Sequence, residues 1–244
     1  MILIVPAYNE ANRLPIDEFR EWITQNTYGH FVFVNDGSTD STLQVLQQFQ
    51  SQFPERIEVL DLTKNVGKAM AVHAGFNWVF DQTKFSDAKT IGYMDADLAA
   101  PIRELKRLSE ILIRENLQLV FGSRILKIGS NIERKGYRHY LGRIIATFIS
   151  LSLKLPIYDT QCGAKVFRKN VLTKNLFKKP FISRWLFDVE IFGRIKQQCD
   201  FYKEVKEEPL TEWIEKGGSK ITFGDTLKIP LELIKINRSE SLRK

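Results

Sequence analysis

The chain has 244 residues, 43% hydrophobic, with a net charge of +7 and two cysteines, Cys162 and Cys199. That is enough apolar material for a full core, as one α/β domain or two small ones. It excludes a disulfide framework and points to a reducing compartment.

In chain order, residues 2–5 form a short apolar run ending at Pro6, and residues 16–25 fit a helix. Residues 31–34 are a second β-type run, followed by the turn cluster Asn35-Asp36-Gly37-Ser38-Thr39-Asp40. Residues 42–53 have helical spacing, with Leu43, Leu46 and Phe49 on one side. Residues 57–60 read as a third strand, 68–80 as a helix and 90–94 as a fourth strand. Strands alternating with helices predict βαβ units and a parallel sheet covered on both faces. Residues 117–121 add a strand that runs into Gly122-Ser123-Arg124. Residues 139–155 then predict an apolar helix with a polar stripe of Arg143, Thr147, Ser150 and Lys154. It is either core or an amphipathic helix lying in a membrane interface. A C-terminal helix is expected over 221–237, then a polar tail over 238–244.

No run of 18 apolar residues exists, so no transmembrane helix is predicted. The first residues lack a basic region and a long apolar run, so no signal peptide is predicted either. The charge is uneven. Between Arg124 and Arg184 there are 14 Lys/Arg against Glu133 and Asp159, a segment of +12, so the rest of the chain carries −5. Such a block implies an anionic partner, unless it is a solvated basic face.

In open sheets of this kind ligands bind at the carboxyl ends of the strands. Four polar clusters follow predicted strands: Tyr8-Asn9-Glu10, Asp36-Gly37-Ser38, Lys64-Asn65-Val66-Gly67-Lys68 and Asp95-Ala96-Asp97. Asp95 and Asp97 sit two apart at a strand mouth, where side chains alternate, so both are expected on one side. Like charges so close need a cation. Mg²⁺ takes one or two carboxylates plus substrate phosphates, so Asp95 and Asp97 are the candidate ligands for Mg²⁺ or Mn²⁺ on a diphosphate. A solvated turn is the alternative for a motif this short.

Taken together, Val5-Pro6-Ala7-Tyr8-Asn9-Glu10, Asn35-Asp36-Gly37-Ser38-Thr39-Asp40 and Asp95-Ala96-Asp97-Leu98 resemble the family 2 glycosyltransferases, with the GT-A fold. Asp159-Thr160-Gln161-Cys162-Gly163, Arg184-Trp185-Leu186-Phe187-Asp188-Val189-Glu190 and Gly218-Ser219-Lys220 resemble the polyprenyl-phosphate branch of that family. The resemblance runs from residue 2 to about residue 236. It departs at Asn35, where the family often has an acid, and in lacking the C-terminal transmembrane helices of bacterial members.

The resemblance implies one catalytic domain over 1–237 with a Rossmann-like, mostly parallel sheet. Residues 1–98 would form the nucleotide-sugar half. Residues 99–220 would form the acceptor half, with the interfacial helix at about 139–155. It implies transfer of a hexose, with glucose and UDP favoured, to a polyprenyl or dolichyl phosphate with inversion. The expected site is cytoplasmic, peripheral on the membrane. The chain would dock on the membrane alone, or with a membrane-anchored protein partner or as a homo-oligomer.

Pro6, Tyr8, Glu10, Asp36, Lys68, Asp95, Ala96 and Lys220 are then expected around the nucleotide-sugar, with Asp36 accepting from uracil or ribose. Ser123, Arg124, Arg134, Arg138 and Gln161 are expected around the acceptor phosphate, since Arg binds phosphate with a planar fork. Asp97, Arg124 and Asp188 form the expected catalytic set. A phosphate dianion attacks without a protein base, whereas a hydroxyl acceptor needs one. Asp188 is therefore either that base or a partner of Arg184 or a lysine. Asp188 and Glu190, two apart, are expected on one side of a strand or an irregular element. A hydroxyl acceptor on a carbohydrate or protein is the alternative activity. A nucleic-acid module is disfavoured for want of any such fold motif.

Overall fold

The computed structural model describes residues 1–133, 136–217 and 232–236, without the side chains of residues 136–142 and 144. In its first half, strands β1 (Ile2–Ala7), β2 (His30–Asp36), β3 (Ile57–Leu62) and β4 (Thr90–Tyr93) alternate with helices α1 (Ile16–Gln25), α2 (Thr42–Gln52) and α3 (Lys68–Asp81). Helix α4 (Ile102–Arg114) leads to β5 (Leu119–Ser123), a short β6 (Asn131–Glu133) and the long α5 (Gly136–Leu153). Then come β7 (Lys165–Arg168), α6 (Val171–Leu176), α7 (Phe187–Lys196), α8 (Phe201–Glu204), β8 (Val205–Pro209) and β9 (Glu212–Ile214). Residues 232–236 are helical; the rest of the expected 221–237 helix and the tail lie outside the described residues.

The main sheet has seven strands in the order β3-β2-β1-β4-β7-β5-β8, with β6 and β9 forming a separate pair. Neighbours run parallel except at β7, which is antiparallel to both β4 and β5. The expected mostly parallel order is observed.

The central strands read as unbroken apolar runs because both faces are covered. In β1, Ile2 and Ile4 join one core layer with Val32, Val34, Phe76 and Phe167. Leu3 and Val5 join the other, with Phe19, Phe31, Phe33 and Leu46. All four β1 side chains are fully buried. The rim at the strands' carboxyl ends is thereby set on a rigid base.

Two expectations about elements are corrected. Asp188 and Glu190 lie in the first turn of α7, where a spacing of two puts side chains on different faces. Lys154 lies beyond the end of α5 with φ +52°, so it is not part of that helix's stripe. On α5, Ile145, Ile149 and Leu153 pack on the core while Phe148 and Leu151 are 63% and 69% exposed. No helix among the described residues is long and apolar enough to cross a membrane.

Candidate active site

Three loops at the rim are stitched together. Asn9 takes φ +53°, its N–H donates to Ser38 Oγ, and its Oδ1 accepts from Thr39 N–H at 2.8 Å. Glu10 N–H donates to Thr42 Oγ1 at 2.8 Å, which joins the loop after β1 to the start of α2. Asp36, buried at the end of β2, accepts from Val66 N–H at 2.7 Å, Gly67 N–H at 2.9 Å and Asn65 Nδ2 at 3.0 Å. Gly37 makes this possible: its φ is +60°, and a Cβ there would lie 2.3 Å from the Lys64 backbone.

Asp36 therefore has a structural task beside the nucleoside contact expected of it. Its carboxylate organises the 65–67 turn before α3, because three N–H groups already converge on it. Beside it, Asn35 donates to Asp61 Oδ1 at 2.6 Å across the β2–β3 register. The acid often present at residue 35 in the family would face Asp61 as a like charge, and the amide removes that conflict. Pro6 pairs with Val34 inside β1, so it stiffens a strand end and not a loop. Tyr8 is half-buried and Glu10 pairs with Arg13 at 3.5 Å.

Asp95 and Asp97 follow β4 at the centre of the rim, with buried Ala96 between them and Leu98 at φ +53°. Lys68 at the start of α3 donates from Nζ to Asp95 Oδ1. Burial alone would raise the Asp95 pKa, but the Lys68 charge and hydrogen bond, with the Arg124 and Lys165 charges, together outweigh it and hold the carboxyl below its ordinary value. Asp97 Oδ1 accepts from Ala99 N–H at 3.0 Å. Burial, then the neighbouring Asp95 charge, lifts its pKa. The two acids therefore share a field, and one of them already holds a cation.

The other flank is built by the loop before β7. Asp159, 6% exposed, grips Arg124: Nε to Oδ2 is 2.7 Å, Nη2 to Oδ1 is 2.8 Å, and the Arg124 N–H adds 3.1 Å. Glu207 on β8 accepts the N–H groups of Tyr158 and Asp159, both at 2.8 Å, and fixes that loop. The Arg124 guanidinium lies 5.3 Å from the Trp213 ring centre. Burial raises the Asp159 pKa, but the Arg124 charge and its hydrogen bonds, with the Lys165 charge, together outweigh it and take the carboxyl well below the usual carboxylate range. The picture of Arg124 as a free fork for phosphate is corrected. Its bidentate edge is spent on Asp159, which leaves Nη1 uncommitted among the described residues. Ser123 Oγ, Thr160 Oγ1 and Gln161 Nε2 are buried beside this pair with no hydrogen-bond partner among the described residues. Arg134 and Lys220, and the Arg138 side chain, lie outside the described residues.

Below the acids sits Lys165, on β7, fully buried. Its Nζ reaches Asp188 Oδ1 at 2.7 Å, Cys162 O at 2.7 Å and Thr160 O at 3.0 Å. Tyr93 OH donates to the same Asp188 oxygen. Of the two readings of Asp188, the lysine partner is the one observed. Arg184 instead reaches Asn65 Oδ1 at 3.2 Å and lies against Gly67. Glu190 accepts from the Ile182 and Ser183 N–H groups and pairs with Arg194. Sequence reasoning gave no role to Lys165, Asp159 or Glu207. The signal for Lys165 was a single cation inside the apolar run Ala164 to Phe167.

The basic block is thus partly internal. Arg124, Lys165, Arg143 (Nη1 to Tyr158 O, 2.7 Å) and Arg168 (Nε to Leu117 O, 2.9 Å) all serve the fold.

The sequence profile of glycosyl transferase family 2 matches residues 2–176. The chain belongs to glycosyl transferase family 2. It is 32% identical over 96% of its length to a dolichyl-phosphate beta-glucosyltransferase of Trichomonas vaginalis, of which it covers 71%. Among solved structures it resembles the Mycobacterium tuberculosis glucosyl-3-phosphoglycerate synthase complex with Mn²⁺, UDP and glucosyl-3-phosphoglycerate. That match has a TM-score of 0.67, 15% identity, and covers 96% of this chain and 78% of that one. It also resembles S. aureus TarS, with a TM-score of 0.54 and 14% identity over 98% of this chain, which spans 43% of that longer protein. The chain is a glycosyltransferase of the GT-A architecture.

Proposed function

We propose that this enzyme moves glucose from UDP-glucose to the phosphate of dolichol or a related polyprenol, with inversion, at a membrane surface. The relatives' names support the substrate class. The geometric observation that carries it is the commitment of Asp188. That carboxylate is buried, bound to Lys165 and Tyr93, and so is not free to act as a base. Glu190 is equally held. With both of these carboxylates committed, the described residues suit an acceptor that arrives as an anion, and a phosphate monoester is largely dianionic at neutral pH.

The rim fits a divalent ion. Asp95 and Asp97 offer hard oxygen donors, and the described residues hold no cluster of three or more His, Cys, Asp and Glu that would cage a metal unaided. That donor set suits Mg²⁺ or Mn²⁺ completed by substrate phosphates. When bound, the ion supplies Lewis-acid stabilisation of the departing diphosphate. The nucleoside lies on the stitched loops of Tyr8, Glu10 and the Asp36-ordered turn. Lys68 adds a cation at the start of α3, where backbone N–H groups favour anions. Nη1 of Arg124, Ser123 and Gln161 meet the acceptor phosphate, and Arg134 and Arg138 add positive charge for the same anion. Asp159 holds the Arg124 plane so that Nη1 points without searching.

Phe148 and Leu151 on α5, with Leu126 (70% exposed) and Ile128 (fully exposed), supply apolar surface for the bilayer interface. The test is a mass-spectrometric assay of UDP-glucose against a short polyprenyl phosphate and against sugar hydroxyls. A polyprenyl-phosphate glucose product is expected. Transfer to hydroxyl acceptors alone overturns the proposal.

A further inference from the structure

The Lys68–Asp95 contact is an ion pair placed where a second cation is also wanted. Asp95 is bracketed: one oxygen takes the Lys68 ammonium, and the other lies against the Cα of Gly163, where a Cβ would sit 2.1 Å away. Asp97, by contrast, accepts a backbone N–H and pairs with no cation among the described residues. The pair is not sealed in. The Lys68 and Asp95 side chains are 35% and 38% exposed. Lys68 opens α3, so its stem swings from a fixed point beside the turn that Asp36 orders. Lys68 Nζ also lies 6.0 Å from the Phe187 ring centre, a weak second contact it can leave.

Charge decides what can enter. Asp95, Asp97 and Lys68, two carboxylates and one ammonium, leave this cluster a single net negative charge. A divalent ion arriving alone would stand beside the ammonium and repel it at close range. A diphosphate arriving with the ion brings as much negative charge as the ion neutralises, and it offers the ammonium a new partner. The net charge of the cluster is then unchanged.

We infer that Lys68 is an exchangeable counter-ion: it holds Asp95 until the sugar donor's diphosphate draws it away, so that metal binding depends on the nucleotide. This deepens the proposed function and rests on its assignment of Asp95 and Asp97 to the metal. It gives Lys68 a positioning role beyond contact with the donor. It also gives the enzyme a reason not to load metal without substrate. Coupling of this kind is reciprocal: the factor by which UDP tightens Mn²⁺ equals the factor by which Mn²⁺ tightens UDP.

The test measures free Mn²⁺ by electron paramagnetic resonance, with and without saturating UDP, and needs no turnover. Wild type should bind Mn²⁺ about tenfold tighter with UDP, a factor ordinary for linked sites. Lys68→Met should bind Mn²⁺ alone about tenfold tighter than wild type and lose most of the UDP effect. Lys68→Gln, polar but uncharged, should behave likewise, and Lys68→Arg should keep the wild-type pattern. Circular dichroism confirms that each variant is folded. If wild type binds Mn²⁺ with UDP but neither neutral variant gains affinity for Mn²⁺ alone, the exchange is refuted while the metal site stands. If no protein binds Mn²⁺ even with UDP, the metal assignment itself fails and the exchange with it.

Discussion

Lys165→Met tests whether the floor of the site is held by one buried ion pair. The lysine side chain is fully buried and Asp188 is 7% exposed, so neither charge has water to fall back on. Methionine keeps the stem volume and removes the ammonium. Asp188 then retains Tyr93 OH, and the carbonyls of Thr160 and Cys162 lose their donor. Stranding one member of a buried pair costs about 3–5 kcal/mol. Each carbonyl left dry adds about 1–3 kcal/mol, less whatever overlaps with the first term or is recovered by relaxation. We expect a total near ~4 kcal/mol, a large share of the ~5–15 kcal/mol that holds a typical domain. For a chain of this length that corresponds to a Tm lower by roughly 8–16 °C.

The assay is urea unfolding followed by circular dichroism, comparing midpoints at constant slope. Asp188→Asn and the double variant close a cycle. With no charge left to strand, the double variant should be more stable than the sum of single losses predicts, by at least about 1 kcal/mol. If Lys165→Met lies within about 1 kcal/mol of wild type, or the losses simply add, the pair does not hold the site and the reasoning is wrong.

Three further outcomes are expected. Gly163→Ala drives a Cβ into Asp95 Oδ2, so the UDP and Mn²⁺ thermal shift should vanish while the free protein still melts cooperatively. Arg124→Lys surrenders the fork on Asp159; it should cost about 1–3 kcal/mol in urea and slow transfer to polyprenyl phosphate more than donor hydrolysis to water. Burial pushes both the Cys162 and Cys199 thiols up to about 11 from an ordinary 9.0. A raised acid pKa in the fold means the unfolded chain loses its protons first. That stabilisation is therefore full below about pH 9 and is lost as pH rises toward 11, which urea midpoints across that range will show.

The first half of the fold was legible because its signals were local. Apolar runs of four to six residues ended at turn clusters, and the 16–25 helix appears as expected. In the second half the expected 117–121 strand and 139–155 helix appear as β5 and α5, shifted by two or three residues, but the remaining elements were not legible, since the strands there are short and mixed. Strand β7 is four residues with a lysine at its head, and only its antiparallel pairing with β4 and β5 defines it. Sequence placed Asp95 and Asp97 at the rim, where they are found. It could not show that Asp36 is consumed by a turn 30 residues on, nor that Arg124 is shared with Asp159. Both depend on long-range contacts between loops.

Those contacts converge on residues 159–163. Asp159 fixes Arg124, while Gly163 lies against Asp95. Between them, the carbonyls of Thr160 and Cys162 are tied to Lys165, and so to Asp188 on α7. The proposed acceptor and donor ends are therefore joined by five residues of backbone. For an in-line displacement such a link has a physical use. The two anions must approach one carbon from opposite sides, and a misplacement of about 1 Å can cost a hundredfold in rate. Holding both cationic flanks on one short loop, anchored from beneath by a buried lysine and from behind by Glu207, removes independent motion between them. It follows that changes at Glu207, which touches neither the rim acids nor the Arg124 guanidinium, should act on turnover more than on the affinity for UDP. Glu207→Gln keeps the shape but trades one acceptor for a donor facing an N–H. A lowered kcat with little change in the KM for UDP-glucose is the expected split, and a change confined to KM would argue that the loop serves the donor alone.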